Sequence, residues 1–376
     1  MFAAGYAETG TEDGLAAQHR LAAIAASGGM HLVGPNCVGI ASHDRRLRAA
    51  FAEFGALSAR STSASGPDCD VQARTEAVRL RIALVSQSGA LALALSQAAD
   101  RGVDLTHVLT CGNSADVDVA DYLVALDEDS ACDAIALVFE GLRDPTRLES
   151  ALDHAVLAGK RVAMRHIGRS MAGLEAIRFH TATSSPACLA AHPARRGIVS
   201  VTPIEAVIET SVFLAKAPAA PAKPLGAGVA VLSSSGGTGI LAADAAERAG
   251  VALPQPGELT LERLRSTLPA FAAARNPCDT TAQATRHPDL LADAAEALLG
   301  DARYSALVLP WGQSQSAALL PRLGALGRAH GKPICIVWTG ANLIPERVVA
   351  IERNPALALF RSLDACFTAL AGWLRG

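Results

Sequence analysis

Short apolar runs alternate with Ala/Leu-rich or amphipathic stretches along most of this chain. Ile82-Ala83-Leu84-Val85 predicts a buried strand, Ser86-Gln87-Ser88-Gly89 a tight turn, and the Ala/Leu-rich segment running to Gln97 a helix. The order recurs at Val229-Ala230-Val231-Leu232, then Ser233 to Gly239, then the helical pattern Ile240 to Ala249. Between these points the pattern predicts strands at Thr106 to Thr110, Asp133 to Phe139 and Arg161 to Arg165. Helices are predicted at Val119 to Leu126 and Pro145 to Ala158. After them come strands at Ser305 to Pro310 and Pro333 to Trp338, and a closing helix at Ser362 to Leu374. Strands and helices alternating at this length indicate parallel sheets covered on both faces, an α/β fold class.

The same pattern divides the chain. Residues 1–45 predict one helix, Glu12 to Ser27, with Leu15, Leu21, Ala22 and Ile24 toward the interior, and a strand at Met30 to Val33. One helix and one or two strands cannot bury a core alone, so this segment either docks on the next unit or closes a larger domain. Residues 46–80 are a linker or insertion, rich in Ser, Ala, Arg and Asp toward its end. Residues 81–215 form the first complete α/β unit, 216–228 a Pro/Ala linker, and 229–376 a second unit.

Composition narrows the function. The 376 residues suffice for two or three domains, and 50% hydrophobic with 4% aromatic content predicts cores of Ala, Leu and Val. A net charge of -3 argues against a general nucleic-acid or anionic-membrane binder. No apolar run reaches membrane-spanning length, and the first ten residues lack the pattern of a signal peptide. The eight scattered cysteines fit reduced thiols in a cytoplasm and no metal site.

Each candidate residue carries two readings. The N–H groups at a strand-to-helix turn suit an anion, so Ser86 to Gly89 and Ser235 to Gly239 either bind phosphate or simply turn the chain. Ligands in parallel sheets lie beyond the carboxyl ends of strands, where Ser86, Gly112-Asn113 and Glu140 fall. Glu140 either orients a histidine or caps its loop. His180, in the polar stretch Arg178 to Ser185, is either a phosphoryl acceptor or an ordinary surface histidine. Arg275 to Thr280 is a polar turn from which Asp279 could reach a ligand. Cys37 and Cys111 read better as buried thiols than as reactive ones.

Taken together, Gly34-Pro35-Asn36-Cys37-Val38-Gly39, Val85 to Leu91, Gly112-Asn113 with Asp116, Phe139-Glu140-Gly141, His180-Thr181 and Asn276-Pro277-Cys278-Asp279 resemble, in order, the NDP-forming acyl-CoA synthetases. This is the acetate–CoA ligase (ADP-forming) family, related to succinyl-CoA synthetase. The resemblance implies two flavodoxin-like domains, preceded in residues 1–45 by the remnant of a Rossmann-like CoA-binding domain whose first strand would precede residue 1. It implies that His180 is the phosphorylated residue and Glu140 the carboxylate that orients it. It further implies that Ser86, Gln87, Ser88 and Gly89, with Ser235, Gly236, Gly237, Thr238 and Gly239, bind phosphate. Pro35, Asn36 and Cys37 would lie near the CoA thiol, and Gly112, Asn113, Asn276 and Asp279 elsewhere in the pocket. Coenzyme A would be a substrate, alongside acyl-CoA or a carboxylic acid and phosphate. ATP or ADP with Mg2+ would act only through a separate ATP-grasp subunit, in a homo- or hetero-oligomer. Two departures stand out: Phe179-His180-Thr181-Ala182 where the family usually reads S-H-T-G, and Arg165-His166 where it typically carries a lysine. The second hypothesis, from another class, is a non-catalytic relic or regulatory acyl-CoA- or phosphate-binding protein of the same fold.

Overall fold

Helix Glu12–Ser27 (α1) starts where Thr11 Oγ1 accepts a hydrogen bond from Gly14 N at 3.1 Å. The computed structural model describes residues 1–55, 81–180, 197–218, 228–312 and 315–375; the side chains of 174, 176 and 178–180 also lie outside that description. The described residues fall into two compact units, residues 1–55 with 81–211, and residues from Val212 onward. Gly14, Gln18 and Ala25 form the buried face of α1, whereas Leu15, Leu21 and Ala22 are half-buried and Ile24 is 63% exposed. That departs from the face expected by periodicity, because α1 turns polar Gln18 inward to satisfy Asn113.

Met30 to Val33 is not a strand. Its backbone bonds go to a loop instead: Leu32 N donates to Asp116 Oδ2 at 2.7 Å, and Leu32 O accepts from Val117 N at 3.1 Å. The strands come later, at Gly39–Ser42 (β1) and Leu47–Ala50 (β2), an antiparallel pair. Thus residues 46–50, grouped by sequence with the linker, lie within a strand and the turn before it; residues 56–80 lie outside the described residues.

The first unit then runs Ile82–Ser86 (β3), Gly89–Ser96 (α2), Leu105–Thr110 (β4), Val119–Asp127 (α3), Ala134–Phe139 (β5), Pro145–Leu157 (α4), Arg161–His166 (β6), Met171–His180 (α5), Ile198–Ser200 (β7) and Ala206–Lys216 (α6), the last crossing the boundary between units. Its seven-stranded sheet has the order β2-β1-β4-β3-β5-β6-β7. The strands from β3 to β7 are parallel, and β1 joins β4 antiparallel. Every residue of β3, β4 and β5 is buried, as expected for strands covered on both faces. Helix starts are written locally. Asp118 and Asp121 make a reciprocal capping box on α3, and Asp144 caps α4 ahead of Pro145.

The second unit contains Gly228–Ser233 (β8), Gly236–Ala249 (α7), Glu258–Thr267 (α8), Cys278–Asp279 (β9), Pro288–Gly300 (α9), Tyr304–Trp311 (β10), Leu319–His330 (α10), Ile334–Trp338 (β11), Pro345–Arg353 (α11), Leu357–Phe360 (β12) and Leu363–Arg375 (α12). Its five strands are parallel in the order β12-β11-β10-β8-β9. Ala and Leu dominate its core, but the few rings are concentrated there too: Trp311, Trp338 and Tyr304 are among the largest fully buried side chains. Among the described residues no helix is long and apolar enough to cross a membrane.

A buried cation closes this unit. Lys216 Nζ donates to Ile351 O at 3.1 Å and Leu357 O at 2.7 Å, and lies 3.9 Å from Glu352 Oε2. Burial pulls the ammonium down to about 8, against the attraction of Glu352. An unfolded lysine holds its proton to about pH 10.4, so between these values the unfolded chain binds more protons and stability rises with pH. The unfolding free energy of the wild type should therefore gain on that of Lys216→Met by about 1 kcal/mol per pH unit between pH 8 and 10. Urea titrations at several pH values measure that slope; a flat difference would refute the depressed ammonium.

Candidate active site

The centre of the first unit's sheet ends in a turn whose hydrogen bonds are made largely by side chains. Ser86 Oγ donates to Ser88 O at 2.7 Å, and Gln87 N continues the ladder to Val138 O at 2.9 Å. Ser88 is extended and caps α2, its Oγ accepting from Leu91 N at 3.4 Å. Gly89 opens the helix because nothing larger fits: a Cβ there would stand 2.2 Å from Val38 Cγ2. The result is a helix N-terminus at the carboxyl end of a buried strand, with the positive end of its dipole facing the loops beyond.

Two further strand ends meet it. Cys111 N donates to Ser86 O at 3.3 Å, which places Gly112-Asn113 beside the turn. On the other side, Gln87 Oε1 accepts from Glu140 N at 2.8 Å and Gly141 N at 3.1 Å. Those two donors fix the orientation of the Gln87 amide and leave its Nε2 buried, without a partner among the described residues. An orphaned buried donor beside an open helix end fits an oxyanion. Glu140 is half-buried.

The N-terminal segment reaches the same place. Gly112 has φ +55°, and a Cβ there would lie 2.3 Å from Pro35 O. Asn113 N donates to Pro35 O at 3.0 Å and Ala115 N to Gly34 O at 3.1 Å. Asn113 itself is 3% exposed and fully engaged: it accepts from Asn36 Nδ2 at 3.2 Å and donates to Gln18 Oε1 at 2.9 Å and to Glu8. Burial alone would raise the Glu8 carboxyl, but that amide and the N–H groups of Gly5 and Tyr6 hold it below its ordinary value. Cys37 is buried with its Sγ 3.1 Å from Thr110 O. Burial pushes the Cys111 thiol up to about 12, so it stays protonated and inert at neutral pH. Beside this junction lies a cleft of about 170 Å3 lined by Gln18, His19, Ala22, Asn113, Ser114 and Arg143, among others. Hence the structure brings together Pro35 to Cys37, Ser86 to Gly89, Gly112-Asn113 and Glu140.

His180 is the last residue of α5 rather than part of a loop, because Met171, Ala172, Leu174, Glu175 and Ala176 are good helix formers and Ser170 Oγ accepts from Gly173 N at 3.1 Å. Its side chain, and Thr181 to Ser185, lie outside the described residues. Sequence reasoning passed over His166 as a site residue. Its Nε2 lies 3.1 Å from Glu140 O, and its ring stacks on Phe139 at 4.8 Å with planes 7° apart. The signals in the sequence were its place at the end of β6 and its standing, with Arg165, where the resemblance leads one to expect a lysine.

In the second unit, Ser235 precedes α7 without a side-chain cap, and Ser233 Oγ and Thr238 Oγ1 are 2.5 Å apart. Asp279 Oδ2 would lie 3.2 Å from a Cβ at Gly236, so a carboxylate already stands at this helix end. Asn276 holds the fold: its Oδ1 accepts from Val231 N at 2.9 Å and its Nδ2 donates to Val229 O at 2.8 Å and Pro254 O at 3.0 Å. Among the described residues no three His, Cys, Asp or Glu side chains converge on a metal position.

Residues 79–214 match the family described as succinyl-CoA ligase like flavodoxin domain. Over 99% of its length the chain is 30% identical to a trans-feruloyl-CoA synthase from an unknown prokaryotic organism, and it spans 51% of that protein. It is 29% identical to the α subunit of acetate–CoA ligase (ADP-forming) II of Pyrococcus furiosus, over 99% of this chain and 77% of that subunit. Dinucleotide forming acetyl-coenzyme A synthetase 1 of Ca. Korarchaeum cryptofilum, solved in complex with phosphate and ADP, matches with TM-score 0.78 at 23% identity, over 99% of this chain and 76% of that one. The fold is therefore of the succinyl-CoA ligase, flavodoxin-like kind.

Asn113→Ala removes the amide that joins Gln18, Glu8 and Asn36, and should cost about 1–3 kcal/mol of stability. Limited proteolysis should then cut within residues 5–36 before the rest of the unit. Unchanged resistance in that segment would show that the backbone bonds to Gly34 and Pro35 suffice without it.

Proposed function

The chain is a homologue of the α subunits of ADP-forming acetate–CoA ligases, and we propose that it is the acyl- and phosphoryl-transferring component of an NDP-forming acyl-CoA synthetase. The observation that carries this reading is the convergence, at the carboxyl ends of β3, β4 and β5, of an open helix N-terminus, the orphaned Gln87 Nε2 and the Glu140 loop. In the first step phosphate attacks the thioester carbon of an acyl-CoA, giving acyl phosphate and releasing the CoA thiol. A ring nitrogen of His180 then takes the phosphoryl group, the P–O bond to the acyl group breaks, and the carboxylate leaves. The phosphohistidine finally passes its phosphoryl group to ADP, held with Mg2+ by an ATP-grasp subunit. Reversal makes acyl-CoA from acid, CoA and ATP.

Within this scheme the N–H groups opening α2 and the Gln87 amide hold phosphate oxygens. They are fixed dipoles, so they stabilise developing charge without rearranging. Glu140 accepts a hydrogen bond from the His180 imidazole and sets which nitrogen attacks. Pro35 to Cys37, tied to Gly112-Asn113, stand by the thiol end of CoA. The setting is a cytoplasm, consistent with the free thiols of the six described cysteines. The alternative, a phosphate- or acyl-CoA-binding relic, draws on Phe179, whose ring replaces the hydroxyl that the resemblance leads one to expect before the histidine.

Incubation of the purified chain with phosphoryl-labelled acetyl phosphate separates the two. The reading predicts an acid-labile, base-stable label that His180→Ala abolishes while leaving the circular dichroism spectrum unchanged. A folded wild-type chain that takes up no label would refute phosphoryl transfer and favour the binding protein.

A further inference from the structure

β5 ends at Phe139, whose carbonyl accepts the last ladder bond, from Ile167 N at 3.0 Å. Glu140 is the first residue beyond the ladder, and side chains from the two flanking strand ends take over its backbone. From the β3 side, Gln87 Oε1 accepts the N–H groups of Glu140 and Gly141. From the end of β6, His166 Nε2 meets the Glu140 carbonyl at 3.1 Å. A carbonyl can only accept, so Nε2 carries the proton in this contact whether the ring is neutral or charged. The His166 ring has little freedom to leave, because it lies flat on the fully buried ring of Phe139.

We propose that Gln87 and His166 act as a two-sided clamp, positioning residues that together set the direction of the Glu140 carboxylate. The inference rests on the reading above, in which Glu140 orients the phosphoryl-accepting imidazole. A residue just past a strand end is free to swing, and a misplacement on the order of 1 Å at a reacting group costs roughly a hundredfold in rate. Gripping the N–H on one side and the C=O on the other removes both directions of swing.

The test is single-turnover labelling of the complete chain by phosphoryl-labelled acetyl phosphate, in the wild type, Gln87→Leu, His166→Phe, Glu140→Ala, and His166→Phe combined with Glu140→Ala. His166→Phe keeps an aromatic ring on Phe139 and removes the Nε2 donor. Each clamp variant alone should label about tenfold or more slowly. His166→Phe should not slow labelling further once Glu140 is alanine, a non-additivity that a general loss of structure would not produce. Gln87→Leu leaves two N–H groups unpaired; if it unfolds the chain, His166→Phe carries the test, and His166→Gln, whose amide still donates, should recover the rate. A clamp variant that labels at the wild-type rate, or a His166→Phe change that loses as much again in the Glu140→Ala background, overturns the clamp while the proposed reaction stands. No label on the wild type overturns the reaction and the clamp with it.

Discussion

The turn from a buried parallel strand into a helix leaves backbone N–H groups that neither the ladder nor the helix can satisfy, and much of the first unit is arranged around that deficit. β3 lies between β4 and β5 with every residue buried, so its end cannot be left to water along its flanks. Ser86, Gln87 and Ser88 satisfy part of the need with their side chains, and Gly89 lets the N-terminal segment approach. What is left unsatisfied faces the strand ends, and the proposed chemistry uses that remainder.

The same economy explains why few side chains at this end serve only one purpose. Asn113 links α1, the N-terminal coil and the loop after β4 through one amide. Gln87 joins the turn after β3 to the turn after β5. Arg143 binds the carbonyls of Ala115, at 2.9 Å, and Asp116, and so ties the loop before α4 to the loop before α3. Packed polar networks of this kind are stiff, because each member has its partners on rigid elements. Stiffness is what a site needs when its donors must already be in place as charge develops.

Much of this was legible in the amino-acid order. The β3–α2 and β8–α7 pairs announce themselves as an apolar run, a small-residue turn and a helix former, because local propensity and tertiary burial agree there. The N-terminal segment was harder. β1 is Gly-Ile-Ala-Ser and β2 is Leu-Arg-Ala-Ala at a sheet edge, and neither carries an apolar run. Met30 to Val33 does carry one, yet its backbone pairs with the loop at Asp116 and Val117 instead of a strand. Asn276 illustrates a different limit. A polar residue ahead of Pro277 reads as a site residue, but its amide substitutes for backbone partners of β8, and only the fold reveals that. His166 was hidden for the converse reason: the end of an apolar strand is where packing, not chemistry, is the ordinary expectation.

The contact between Gly89 and Val38 reaches beyond this one molecule. With the missing methyl of one residue filled by the branched side chain of the other, position 89 cannot gain a side chain while position 38 keeps its valine. A lineage that acquires alanine at the helix start must first shorten the residue at position 38, and a lineage that enlarges position 38 keeps glycine at 89. Gly112 is bound in the same way to the backbone at Pro35 and Asn36, where no side-chain change can relieve the overlap. Homologous chains should therefore show paired change at 38 and 89 but fixity at 112. This history would be set by close approach of the coil to the turn.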